Sequence, residues 1–166
     1  MRTAGIAFLS FVPVLAGFFA KIYFEKEEKI KHALIVFFEH LQFEIDCFLR
    51  PQEEIFFCFQ NSVLEKCGFL PVLRQEVQKE PWGVLERSLA ILTENIHFTP
   101  REEEALHQFA KNFGMQSKKK QIEDCESLLK LLKMEETTEK QKRKTNGSIL
   151  WTCGICLGIG IFILLI

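Results

Sequence analysis

The chain has almost no net charge: 21 Lys and Arg stand against 22 Asp and Glu, a formal charge of −1. That balance creates no field to draw in nucleic acid, and no zinc-finger or basic-zipper spacing offers a groove-reading element, so nucleic acid is not an expected partner. Phosphate-cradling glycine loops are missing too. Neither Gly-x-x-x-x-Gly-Lys-Ser/Thr nor a glycine fingerprint after a strand occurs, so any nucleotide coupling has to come from another protein. There is no Gly-x-Ser-x-Gly elbow, and His32, His40, His97 and His107 stand in no relation to a nucleophile they would activate. His32 and His40 lie two helical turns apart, too far to share a metal ion. The carboxylates at Glu53-Glu54 and Glu102-Glu103-Glu104 fall at helix starts, where the helix dipole accounts for them. No catalytic, cofactor-binding or metal-binding residue is assigned. No run alternates apolar and polar residues between turn signals, so no sheet is expected.

What the chain has instead is apolar sequence gathered at both ends. No residue from Thr3 to Ala20 is charged, and the run is about the minimum length for a helix to cross a bilayer. Pro13 is tolerated there as a kink. A cleaved signal peptide fits less well, because Phe18-Phe19-Ala20-Lys21 puts Phe where a signal peptidase needs a small residue. The second run, Gly147 to Ile166, is uncharged and has the form of a tail anchor. Gly154 and Gly158 follow the small-xxx-small spacing; they either let helix backbones associate or represent ordinary glycine usage in a bilayer helix. Cys153 and Cys156 spell CxxC, but a thiolate is costly in an apolar span, so neither a redox nor a metal pair is expected. The expected domains are a transmembrane helix over 3–24, a cytoplasmic helical domain over 25–144 and a transmembrane helix over 147–166. Lys21, Lys26, Lys29 and Lys31 after the first span, and Lys140, Lys142, Arg143 and Lys144 before the second, set the orientation. Inside the cell Cys47, Cys58, Cys67 and Cys125 should be reduced, and their spacing matches no zinc pattern.

The expected fold class is all-α, a helical bundle between the two membrane helices. Ile30, Leu34, Phe37, Leu41, Ile45 and Phe48 recur at three and four, with Glu27, Glu28, Lys31 and Glu39 on other faces. The first span runs straight into this helix, and Pro51 ends it. A second helix is expected from Pro51 to Lys66, then a turn-rich piece from Phe69 to Lys79, then a helix carrying Leu85, Leu89, Ile91 and Leu92. Thr99-Pro100-Arg101-Glu102 is a capping box, with Thr99 as N-cap and Pro100 at the first helical position. Gly114 stands where a left-handed residue ends that helix. A last helix starts near Ser117 and continues toward the membrane.

Two polar features stand out. Glu44 lies beside the apolar seam of the first soluble helix, either rotated to its edge or held in an ion pair or partner contact. Lys118, Lys119 and Lys120 open the last helix against its dipole, which points to an acidic neighbour or to plain solvation.

The order of these segments resembles the stage III sporulation protein AB family over the whole chain. Leu41-Gln42-Phe43-Glu44-Ile45 is similar to the family's Leu-Glu-x-Glu-Ile stretch, Phe113-Gly114 to its Leu-Gly, and Gln121 follows in the next helix. Gln42, Phe113 and Ser117 depart from the family's Glu, Leu and Asp. The resemblance implies a non-enzymatic platform or adaptor at the mother-cell membrane facing the forespore, in a secretion-like channel complex needed for endospore formation. Its implied partners are a cytoplasmic secretion-type ATPase, other stage III sporulation channel proteins and the membrane, with self-association left open. A membrane-bound enzyme and a signalling anchor are the rival classes.

Overall fold

A computed structural model describes the backbone of residues 2–48, 50–79 and 83–165, and the side chains of 19, 22–48, 50–79 and 83–142. All regular structure among the described residues is helical: α1 Arg2–Cys47, α2 Gln52–Cys58, α3 Ser62–Lys66, α4 Phe69–Lys79, α5 Val84–Asn95, α6 Pro100–Asn112 and α7 Lys118–Leu165. The chain divides into a terminal unit, Met1–Lys26 with Thr137–Ile166, and a central unit, Glu27–Glu136. Among the described residues no helix is long and apolar enough to cross a membrane. Most side chains of the runs 3–24 and 147–166 lie outside the described residues, including those at Pro13, Gly154 and Gly158.

The helix starts follow from local chemistry. Asn61 caps α3 by accepting from the backbone N–H groups of Val63 and Leu64 at 2.9 and 3.2 Å. This cap breaks the single helix expected from Pro51 to Lys66 into α2 and α3. Phe59 turns extended at the break, and Arg74 secures it by donating to the carbonyls of Phe59 at 2.6 Å and Phe56 at 3.3 Å. The stretch Phe69–Lys79, expected as turns, is α4. Pro71 sits in its first turn, where its missing N–H has no helical partner to lose. The capping box at Thr99 is present in full: Thr99 Oγ1 accepts from Glu102 N at 3.2 Å, and Glu102 Oε2 accepts from Thr99 N at 2.7 Å.

Within the central unit α1 is the spine. Phe37, fully buried, packs against Phe56, Phe59 and Phe69 with ring centroids 5.3–6.2 Å apart. Phe38, its neighbour in sequence, instead meets Phe109 of α6 at 5.4 Å edge to face. Helix α7 runs antiparallel to α1. His32 pairs with Glu136, Glu39 with Lys133, Gln42 with Glu126 and Asp46 with Lys118. Between them Cys125 Sγ donates to the Phe38 carbonyl at 3.4 Å.

Glu27 and Lys31, expected on polar faces, are both 5% exposed. Glu27 Oε1 accepts from His97 N at 2.8 Å. Lys31 Nζ donates to Glu102 Oε2 at 3.0 Å and lies 5.2 Å above the Phe98 ring. The Glu102 that closes the α6 cap is itself 1% exposed. One carboxylate thus serves a helix cap and an ion pair to a residue 71 positions away, which ties α6 to α1. A buried pair is costly to break from one side, because the remaining charge stays desolvated. Lys31→Met should therefore destabilise the chain by about 3 kcal/mol, against about 1 kcal/mol for Thr99→Ala. Lys31→Met with Glu102→Gln should recover much of the loss. Denaturant unfolding of the full chain in detergent checks this; equal losses for Lys31→Met and Thr99→Ala would show that the pair contributes little.

Candidate functional site, an aromatic surface at the end of the first helix

In its last turns α1 leaves its own buried stripe. Phe48 extends that stripe in the sequence, yet it is 53% exposed, and Phe43 is 55% exposed. The helix ends at Cys47, so Phe48 is carried off the core face as the chain turns toward Pro51. The two rings meet edge to face at 5.8 Å. The Arg50 guanidinium lies 5.0 Å from the Phe48 ring centroid and reaches Cys58 Sγ at 4.0 Å. Phe43, Phe48, Arg50 and Cys58 thereby form one connected exposed strip.

Glu44 lies behind the strip and is only 6% exposed, so it is not rotated to the helix edge. Its Oε2 is 3.6 Å from Arg50 Nε, and its Oε1 is 3.9 Å from His40 Nε2. The Arg50 contact carries Coulomb attraction, and neither distance makes a hydrogen bond. Glu44 Oε2 and His40 Nε2 are both buried without a hydrogen-bond partner. The His40 ring rests 5.2 Å from Phe59. A desolvated carboxylate oxygen left in this state stores free energy on the order of 1–3 kcal/mol.

The turn between α6 and α7 comes to the same end of the unit. Gly114 takes φ +83°, which favours glycine, and the Gln52 amide lies where a side chain would stand, so a larger residue would also have to displace that flexible side chain. Its neighbour Met115 is 69% exposed. The three lysines that follow differ sharply. Lys118 Nζ donates to the Asp46 carbonyl at 2.7 Å, which caps the C-terminal end of α1. Lys120 pairs with Asp124 at 2.9 Å, one turn along its own helix, and this hydrogen bond holds its ammonium above the ordinary lysine range. Lys119 makes no ion pair or hydrogen bond among the described residues. The acidic neighbours of the run are thus within the chain. Gly154 and Gly158 lie outside the described side chains.

Other chemistry-bearing groups are committed elsewhere. A shallow cavity of about 450 Å³ is lined by Phe57, Gln60, Asn61, Ser62, Glu65 and Arg74. The Arg74 guanidinium in it is spent on Glu65 at 2.6 Å and on the two backbone carbonyls at the α2–α3 break. Burial pushes the Cys125 thiol up to about 12, so it stays protonated and inert. Among the described residues no three His, Cys, Asp or Glu side chains are grouped to hold a metal ion.

The exposed strip was not legible as a surface, because Phe48 continues the three-and-four spacing of the core stripe and Phe43 sits in the same apolar stretch. The signal that could have marked them is position: Phe48 falls past the last full turn before Arg50-Pro51.

The central unit is thus all-helical, with most of its charged groups tied internally and an aromatic strip exposed at the end of α1. The chain belongs to the stage III sporulation protein AB family, whose family model matches residues 2–166. No curated protein and no solved structure matches it. Membership gives it a role in stage III of sporulation.

The lysine geometry separates stability from surface chemistry. Lys118→Glu should lower stability by about 1 kcal/mol, since it sets a carboxylate against the negative end of α1 and Asp46. Lys119→Glu should stay within about 0.5 kcal/mol of the parent. Thermal melts of both variants test this, and equal shifts would contradict the cap.

Proposed function

We propose that this chain is a non-enzymatic platform of the stage III sporulation channel complex, anchored by its terminal apolar helices in the mother-cell membrane facing the forespore. In this reading the central unit lies in the cytoplasm and binds a secretion-type ATPase. The membrane helices meet other channel proteins. The orientation is supported by the basic residues that flank both apolar runs.

The observation that carries the reading is the exposed Phe43–Phe48 pair. A helical unit with about 30 buried apolar side chains in its core leaves two adjoining aromatics in water only at a free-energy cost, unless a partner covers them. Aromatic and arginine side chains are the types that dominate interface energies, and Arg50 stacks directly on Phe48. The contact face is therefore Phe43, Phe48 and Arg50. Glu44 supports it from behind by holding Arg50. Lys118 and Lys120 are structural in this reading, because each is already paired.

The experiment is a pull-down of the cognate ATPase with Phe43→Ser/Phe48→Ser. Both side chains are exposed, so each change should alter folding stability by no more than about 0.5 kcal/mol. Capture should weaken by about tenfold or more, the loss typical of truncating central interface aromatics, and sporulation frequency should fall with it. Undiminished capture by a folded double variant would remove this face from the interface.

A further inference from the structure

In the terminal unit, Phe19, Ile22, Tyr23 and Phe24 are 66, 48, 56 and 47% exposed. All four belong to α1. At about 100° per residue, Ile22, Tyr23 and Phe24 fan over roughly 200° of the helix circumference, and Phe19 falls between the first two. A partner helix or groove covers a stripe little more than half that wide. Apolar exposure this broad calls for an apolar medium rather than a single docking face.

The side-chain chemistry says which part of that medium. Tyr23 and Phe24 meet edge to face at 6.1 Å, and Tyr carries a hydroxyl that must keep a polar partner. Immediately beyond them the helix turns polar: Glu25 and Lys26 are exposed, as is Lys142 on α7 within the same unit. The uncharged run Thr3–Ala20 lies on the other side. An aromatic ring set between an apolar run and exposed cations matches the boundary between hydrocarbon and head groups.

We infer that Phe19–Phe24 forms an interfacial belt seated in the head-group layer of a phospholipid bilayer, with the Tyr23 hydroxyl among the head groups and Lys26 and Lys142 against lipid phosphates. This rests on the membrane anchoring proposed above and adds the depth at which the chain leaves the bilayer.

The test uses the full chain carrying Trp82→Phe, Trp151→Phe and Tyr23→Trp, reconstituted in phosphatidylcholine and phosphatidylglycerol vesicles. A parallel chain carries Phe43→Trp in place of Tyr23→Trp. Lipids brominated near the head group should quench Tyr23→Trp more than lipids brominated near the chain ends, while aqueous iodide quenches it weakly. Phe43→Trp should show the reverse, with loss of emission to iodide and none to brominated lipid. Repeating the measurement with Phe24→Trp guards against a local disturbance at position 23. If Tyr23→Trp and Phe24→Trp are both quenched by iodide as readily as Phe43→Trp while the protein floats with the vesicles, the belt is wrong and the anchoring stands. Stronger quenching by deep bromines also overturns the belt. If the protein does not float with vesicles at all, the anchoring fails and the belt with it.

Discussion

Two consecutive phenylalanines on α1 hold the central unit together. Phe37 and Phe38 are separated by about 100° around the helix, so they face different neighbours. Phe37 gathers Phe56, Phe59 and Phe69 from the segment that contains α2, α3 and α4. Phe38 meets Phe109 of α6, and its carbonyl takes the Cys125 thiol of α7. Each ring excludes water from a different half of the unit, so α1 cannot rotate to improve one set of contacts without exposing the other. Lys31, about two turns earlier, sets the helix along its length as well, because its ammonium must meet Glu102 at the start of α6. Apolar packing in two directions and one directional ion pair together define a single position for α1.

A helix placed in this way carries its last turns past the core. Phe43 and Phe48 project where the core has ended, and they remain exposed because the spine that carries them is pinned elsewhere. Arg50 and Glu44 order the same region without completing a hydrogen bond between them.

The helical class and the best-capped helix were legible in the sequence because both depend on short-range signals. Thr99, Pro100 and Glu102 act within one turn, and Gly114 acts on its own backbone angle. The partners of Glu27 and Lys31 were not legible. A lysine in a helix that also carries Glu27, Glu28 and Glu39 looks solvated, and only the fold reveals that Glu102 waits for it 71 residues on. The break at Asn61 was missed because Phe59, Val63 and Leu64 keep an apolar face across it, which hides a cap that depends on one side-chain amide. The turn-rich reading of Phe69–Lys79 erred in the opposite direction, since Pro71 in a first turn is compatible with the helix that forms there. At the end of α1, Glu44 was legible as an anomaly and its burial was not. The lysine run was conspicuous in sequence, while its acidic partners Asp46 and Asp124 belong to this chain.

In the proposed function the turns of α1 that carry Phe43 and Phe48 are covered by a partner in sporulating cells. Site-specific photo-cross-linking measures this directly, with the photoreactive residue at position 43 or 48 and, as a control, at His107 on α6, which is 64% exposed. Adducts to the secretion-type ATPase from positions 43 and 48 and none from 107 are the predicted result. Adducts from 107 alone, or none from either aromatic position in cells that assemble the complex, would contradict it.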